Sequence, residues 1–577
     1  MSYKTANTDK QIRIIDFSVL IRSILLISFS VFITFLSTYK IYLDDDVFWH
    51  LTTGRYIINT GSIPSSDVFG FITSGAPWMP FEWGWDVLTY LIFKSGGFTA
   101  LSVFRTLIVL CVFWIIYIMA RKFDVKDGLI IFVFLISVFG TLTRYSVRPQ
   151  LISYLLTVIT LYLLVHYIYF NSVKHLYFLP VVFLLWANMH MGIALGLIIV
   201  GLTLIYQIIK CARKKEKIIV PVSVLLLCIA ALSINPHFIY TYIYAYGHTK
   251  MELLASINEW KSPFETERSF IGYVFFFFLS GGIAVAFYSY KKKEILPVII
   301  FCATAYYAVQ SNRFTADFIF ANILFIIVSF NYIVNLLKLN SGKINPSIKR
   351  LPSLIMVFIF VSLTVLCSSD KLYRDYLNMN FRETGFGING NFFPEKMFEF
   401  ISAAQIDKIG SKPFNNLRIG GYFIWNFPNS RNFIDSRNLN DSIYNLYKII
   451  DLKKPGFEKK ISDYEIDYVI YSVPYMTRNA IEIQNNLISF LSLSQDWKLI
   501  YWDDISFLFV RNNDKFKDII SRNEYKYVNP FKFIFSKNVF FNSFNSDMSV
   551  FKSELSRKRM EEPNGKIINE MLKKLKL

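Results

Sequence analysis

The stretch SVLIRSILLISFSVFITFLSTYKIYLDDDVFWH (residues 18–50) stays apolar to Leu43 and then meets Asp44, Asp45 and Asp46 without a break. About 20 apolar residues are enough to span a bilayer as a helix, so the run reads as a membrane helix. A polar leader with Lys4, Lys10 and Arg13 precedes it. A signal peptide would have a shorter apolar core and a small-residue cleavage site, so an uncleaved first helix is expected. The three acids then mark the point where the chain reaches water, beside Trp49, His50 and Arg55.

The rest of the chain repeats the pattern. Of 577 residues, 54% are hydrophobic and only 18% charged, against roughly 25% charged in soluble domains. Apolar runs follow at 98–120, 128–143, 150–170, 177–189, 192–210, 218–234, 271–290, 295–309, 314–337 and 353–369. A polytopic helical membrane protein with about eleven transmembrane helices is expected. The net charge of +19 fits basic residues at cytoplasmic helix ends, and nucleic acid is not expected as a partner. The five cysteines lie in or beside apolar runs, which leaves no disulfide framework or paired-Cys metal motif.

With the N-terminus cytoplasmic, the inner connections are RKFDVKD (121–127), NSVKH (171–175), KCARKKEK (210–217), YKKKE (290–294) and KLNSGKINPSIKR (338–350). Each is basic, as the positive-inside rule requires. The outer connections hold DDDVFWH, EWGWD (82–86), TRYSVRP (143–149), NMH (188–190), SINPH (233–237), NEW (258–260) and SNRF (311–314). Acids, His, Asn, Arg and Trp thus gather on one face, and the functional surface is expected there. The first outer loop, 43–97, carries four of the ten tryptophans and should lie along the membrane surface, with a short helix at 83–94.

After residue 370 the long apolar runs stop. Short β-like runs GGYFIWNF (420–427), RNFID (431–435), DYVIYS (467–472), WKLIYWD (497–503) and SFLFVR (506–511) alternate with helical patterns at 394–408, 439–452 and 479–494. The expected division is a transmembrane domain over 1–370, an extracytoplasmic α/β domain over 371–515, and a basic extension over 516–577.

In order, DDDVFWHLTTGRYIINTGSIPSSDVF, PWMPFEWGWDVL, RPQLISYL, WANMHMG, SINPHF, NEWKSP, NRF and GGYFIW…FIDSR resemble the successive outer-edge motifs of a widespread bacterial family of glycosyltransferase-like membrane proteins. These are of the GT-C type, like the dolichyl-phosphate-mannose-dependent protein mannosyltransferases. Two positions depart from the family pattern: Phe48-Trp49 stands for paired tryptophans, and Ser436 for a glycine. The resemblance implies a multi-pass protein of the bacterial inner membrane. It would transfer a sugar from a polyprenyl-phosphate donor to a glycan, lipid or protein acceptor outside the cytoplasm, with inversion. It also implies that the leading acid of the first-loop motif is the base.

Such a reaction needs a carboxylate to take the acceptor's proton and cations to stabilise the departing phosphate. Asp44 or Asp46 is the expected base, and the two can also share a divalent cation, Mg or Mn. A solvated helix terminus is the plainer account of the triplet, but acids at the C-terminal end of a helix oppose its dipole. Arg144, Arg148 and Arg313 suit phosphate, or they reach headgroups. Glu259 is a second acid, while His50 and His190 are expected to hydrogen-bond substrate rather than ligate metal. Asp435 and Arg437 either bind an acceptor glycan or hold a turn, and the structural role is the expected one. The rival readings are an oligosaccharide polymerase or ligase, and a lipid or glycan transporter. A transporter should place charges near mid-membrane and show inverted repeats, whereas here the charges sit at the outer helix ends.

Overall fold

A computed structural model of the chain describes residues 17–266, 270–338, 346–437, 439–474, 476 and 480–576. The polar leader and most of the basic connection 338–350 lie outside them.

The membrane part comprises α1 (Phe17–Ser37), α2 (Asp46–Thr60), α3 (Trp83–Lys122), α4 (Asp127–Thr141), α5 (Gln150–Phe170), α6 (Leu179–Ala187), α7 (Ile193–Arg213) and α8 (Ile219–Leu232). The outer segment α9 (Tyr240–His248) and α10 (Glu252–Ser256) follows, then α11 (Phe270–Ser280), α12 (Gly282–Lys292), α13 (Leu296–Val309), α14 (Thr315–Lys338) and α15 (Pro346–Ser368). Among the described residues, eight helical stretches are long and apolar enough to cross a membrane, and three shorter apolar helices stand at 173–187, 219–232 and 296–309. Together they account for the expected spans, and the protein is a multi-pass membrane protein. Large apolar side chains such as Leu107, Leu226, Ile283 and Phe358 point outward, as lipid-facing surface does. Within the aromatic run 272–280, Val274, Phe275 and Phe278 are buried in the core.

The short surface helix expected at 83–94 and the span after it form one continuous element. α3 kinks where Gly96 and Gly97 leave helical geometry, and Gly97 sits at φ +62°, a conformation that only glycine adopts at little cost.

The chain leaving α1 does not continue as helix. It runs extended and pairs with the chain beyond α15, through Tyr39↔Thr384 and Ile41↔Ile388. Arg382 is buried beneath this crossing, 3.9 Å from the Tyr39 ring, and donates to Leu36 O at 2.8 Å and Leu142 O at 3.0 Å. These carbonyls end α1 and α4, where unpaired C=O groups favour a cation.

The C-terminal domain opens with α16 (Glu395–Ala403), α17 (Ile406–Ile409) and α18 (Gly420–Asn426). Its sheet, β1 (Pro413–Asn415), β2 (Tyr468–Ser472), β3 (Trp497–Trp502) and β4 (Ser506–Arg511), has the order β1-β2-β4-β3. β1 runs parallel to β2, and the other pairs are antiparallel. The architecture is therefore a bundle of membrane-spanning helices carrying a domain with a mixed sheet. Residues 516–577 are not a separate appendage: Phe551, Leu555, Ile567, Ile568 and Met571 share one core with Phe414, Val469 and Phe509 of the sheet.

Two β-like runs are not strands. RNFID contributes only an isolated bridge, Gly70↔Asn432. GGYFIWNF is helix α18, gripped at both ends by the first outer loop. Asp45 accepts the N–H groups of Gly421 and Tyr422, both at 2.9 Å, and Arg55 donates to Ile424 O and Trp425 O at 3.2 and 3.0 Å. An acid at the N-terminus and a cation at the C-terminus complement the helix dipole. The double glycine permits the approach, since a Cβ at Gly420 would lie 1.9 Å from Ile434 O and one at Gly421 would lie 2.7 Å from Asp45 O. Gly420→Ala is therefore expected to loosen this domain from the bundle. Limited proteolysis should cut the variant near 380–440 at protease levels that leave wild type whole.

Candidate functional site

The acid triplet lies at the N-terminal end of α2, not at the C-terminal end of α1. Acids are favourable there, so part of the triplet has a structural reason that the expected placement lacked. The three carboxyls also point three ways. Asp44 is buried against the Arg148 guanidinium. Asp45 turns to α18, with Ser436 Oγ a further 3.3 Å contact. Asp46 faces a cavity, accepts from Trp49 Nε1 at 3.2 Å, and lies 3.3 Å from Arg148 Nε.

The cavity holds about 700 Å³ at one set of helix ends, and Asp46, His50, Glu82, Arg148, His190 and Arg313 all line it. Arg144 and Trp260 contribute to its wall as well. The structure thus brings together every candidate residue except Asp44 and Glu259, which stand one layer behind. Glu259 takes Arg144 Nη1 at 2.9 Å. Burial alone would raise its carboxyl, but Arg144, Arg148 and Arg313 bring it down to about 2. Burial likewise works against the charge on Arg148, and Asp44 and Asp46 overcome this, holding the guanidinium well above its ordinary value. Arg313 differs. Its guanidinium lies 5.1 Å over the Trp260 ring, and among the described residues it forms no ion pair within 4.0 Å.

Two acids absent from the candidate set also line the cavity, Glu82 and Asp317. EWGWD and SNRF draw attention to both regions, but an acid beside tryptophans reads as an interfacial loop residue, and Asp317 lies inside an apolar run. Their positions come from packing between distant loops. Trp83 Nε1 donates to Asn188 Oδ1 at 2.9 Å, Gly84 N–H to Asn188 O at 3.0 Å, and Asn188 Nδ2 to Ile234 O at 2.8 Å. A Cβ on Gly84 would lie 2.6 Å from Asn188 O. This clamp sets EWGWD against NMH and brings Glu82 between His50 and His190. Burial pushes the His190 ring down to about 3, helped by Arg313 and His50, and pushes the His50 ring well down too. Both are neutral imidazoles at physiological pH.

The pair Asp44 and Asp46 is a poor match for a divalent cation. A cation site needs about three convergent ligands, whereas Arg148 already lies against both carboxylates. Among the described residues, no group of three or more His, Cys, Asp or Glu side chains is arranged to hold a metal ion. The donor set present is that of a guanidinium-bridged carboxylate pair.

Asp435 and Arg437 are tied into a buried ion-pair network, and Arg437 also lines the cavity. Arg437 is buried, donates to both Asp435 oxygens and to Asp67 Oδ1 at 2.6 Å, and lies 4.6 Å from the Trp78 ring. This network ties the C-terminal domain to the first outer loop along the rim of the cavity.

No protein-family model and no curated protein matches the chain. Solved structures do. The oligosaccharyltransferase AglB of Archaeoglobus fulgidus, in complex with an inhibitory peptide and a dolichol-phosphate, superposes with a TM-score of 0.54 at 11% identity over 84% of this chain and 73% of that one. The apo form of the Archaeoglobus fulgidus oligosaccharyltransferase gives 0.55 at 11% identity, over 85% and 74%. At that identity the likeness is one of fold, and the fold is of the GT-C type.

Proposed function

We propose that the chain is an integral-membrane glycosyltransferase that moves a sugar from a polyprenyl-phosphate carrier to a glycan, lipid or protein acceptor on the extracytoplasmic face, with inversion. One observation carries this reading: a single cavity at one set of helix ends combines the Asp46 carboxylate with the guanidinium groups of Arg148 and Arg313. Its volume of about 700 Å³ lies within the range of roughly 300–1,000 Å³ usual for ligand pockets. The superposable oligosaccharyltransferase binds a dolichol-phosphate, which supports the same class of carrier here.

Asp46 is the base in this reading. Asp44 is committed to Arg148 and Asp45 to α18, so Asp46 alone of the three presents a carboxylate to the cavity. As the acceptor oxygen attacks C1 of the sugar, Asp46 takes its proton, and the bond from C1 to the phosphate oxygen breaks. Arg313 and Arg148 stabilise the charge that collects on the departing phosphate. His50 and His190 orient the sugar's surroundings as neutral rings. The basic connections after α3, α7 and α12 lie at the helix ends away from the cavity, which supports a cytoplasmic N-terminus and an extracytoplasmic site in a bacterial plasma membrane. The charged lining's place at the ends of the helices favours transfer chemistry over transport.

Purified, reconstituted protein offered radiolabelled polyprenyl-phosphate sugars tests the reading. Wild type should consume donor, and Asp46→Asn should lower turnover by about 10²–10⁴-fold while remaining folded. Equal turnover by Asp46→Asn removes Asp46 from the mechanism, and a wild type inert toward every donor and acceptor pair sinks the transferase reading.

A further inference from the structure

Glu82 lines the cavity and takes no part in the transfer just described. Its oxygens face two imidazoles, with Oε1 3.6 Å from His190 Nε2 and Oε2 3.8 Å from His50 Nε2. The surroundings determine which nitrogen of each ring carries the proton. His190 Nδ1 accepts the backbone N–H of Gly192 at 3.1 Å, and a backbone amide can only donate. Ser153 Oγ accepts from Trp186 Nε1 at 2.7 Å and turns its own proton to the same Nδ1, also at 2.7 Å. The neutral His190 ring therefore carries its proton on Nε2, toward Glu82. His50 is the reverse with Asp86 as a carboxylate: Oδ1, 2.5 Å from Nδ1, then takes that proton and leaves the Nε2 lone pair facing Glu82.

A carboxyl group between one donor and one acceptor is complemented as a neutral acid. Its carbonyl oxygen meets the His190 N–H, and its hydroxyl meets the His50 lone pair. A carboxylate in the same place would face that lone pair without a proton between them. Both distances exceed a direct hydrogen bond, and such contacts tighten when substrate fills a site.

We propose that Glu82 is the general acid of the transfer, giving its proton to the phosphate oxygen that departs from C1, with His50 and His190 as positioning residues. This rests on the transferase reading above. The electron pair of the breaking C1–O bond goes to the phosphate oxygen, which takes the Glu82 proton, while the acceptor oxygen bonds to C1 and yields its proton to Asp46. Passage of that proton from Asp46 to Glu82 through the cavity resets the site. The products are the glycoside and the polyprenyl phosphate monoanion.

The groups facing Glu82 are Asp46 and His50 on α2, Asp86 on α3, Arg148 ahead of α5, His190 between α6 and α7, and Arg313 ahead of α14. Burial raises the Glu82 carboxyl to about 8, with Arg313 and Arg148 opposing and Asp46 adding to the rise. The acid form is therefore present below about pH 8 and is lost as the pH rises through that value. Two carboxyls with separate roles set by separate surroundings are a recurrent acid–base arrangement.

The test uses the full chain in detergent or liposomes. Infrared difference spectra between wild type and Glu82→Gln should contain a protonated-carboxyl band that disappears on raising the pH through 8. Turnover of a polyprenyl-phosphate sugar by wild type should fall over the same interval. Glu82→Gln should turn over about 10²-fold or more slowly without that limb, and His50→Asn should move the limb rather than remove it. Absence of the band, or a rate that rises through pH 8, overturns the acid role. Wild-type turnover matched by Glu82→Gln overturns this inference alone. A wild type inert toward all donors overturns the transferase reading, and the role of Glu82 with it.

Discussion

Arg148→Ala is expected to lower turnover by at least about 10²–10³-fold, the usual consequence of removing one charge-stabilising donor, and to destabilise the protein at the same time. Both effects follow from the guanidinium's place between a buried Asp44 and a cavity-facing Asp46. Removing one partner of a buried ion pair costs about 3–5 kcal/mol, because the other charge is left without compensation. Adding Asp44→Asn to Arg148→Ala should therefore restore most of the thermal stability, since the amide needs no counter-charge, while turnover stays low. A double variant that is both stable and as fast as wild type would show that Arg148 serves folding alone. Because Arg148 already occupies the space between these two carboxylates, wild-type turnover should be indifferent to a chelator. Loss of activity with chelator, restored by Mg or Mn, would contradict the guanidinium-bridged reading of the pair.

How far such a site can be read from sequence depends on the range of the interactions that build it. The spans are local, since a helix in lipid satisfies its own backbone, and the basic connections set an expected orientation one loop at a time. The strands at 497–502 and 506–511 are equally legible, because their β-branched and aromatic runs pair through a short turn in which Asp503 Oδ1 accepts from Ile505 N and Ser506 Oγ. The gathering of Asp46, His50, Arg148, His190 and Arg313 was legible as well, since alternating topology puts all the outer connections on one face.

What escaped sequence reasoning is set by distant partners. The triplet belongs to the start of α2 because residues 39–41 pair with 384–388, and nothing near Leu43 announces that exchange. Residues 420–426 carry a strand-like composition but fold as helix, because Asp45 and Arg55, more than 360 positions earlier, hold the two ends. Strand preference measures fit to a pleated neighbour more than an intrinsic backbone choice, and this segment has no such neighbour. Glu82 is visible in EWGWD. Its proton, however, depends on the tautomers of two histidines, one set by Asp86 and the other by Ser153 and Gly192, and no local pattern encodes that arrangement.

The joint between the two domains should be the most sensitive structural point of the chain. Arg437→Met keeps the volume and the contact with Trp78 but leaves Asp67 and Asp435 buried without their shared cation. Those acids also hold backbone: Asp67 accepts the N–H groups of Phe69 and Gly70 at 3.0 and 3.1 Å, and Asp435 accepts Arg437 N–H at 2.9 Å. Asp435 is normally held below the usual carboxylate range, because Arg437 and Asn432 outweigh burial. With Arg437 gone, that depression is lost and Asp435 favours protonation. The expected cost at neutral pH is about 3–5 kcal/mol, seen as a lowered melting temperature of the purified protein. The sign with pH follows from the depressed Asp435: its contribution is full above the unfolded carboxylate range and disappears as the pH falls through the folded value. The deficit of Arg437→Met relative to wild type should therefore shrink on acidification. Lys574→Ala, which breaks an exposed pair with Glu570, serves as the control and should cost less than about 0.5 kcal/mol. Should the two variants melt together, the buried network does not hold the domains, and the grip of Asp45 and Arg55 on α18 must carry the joint instead.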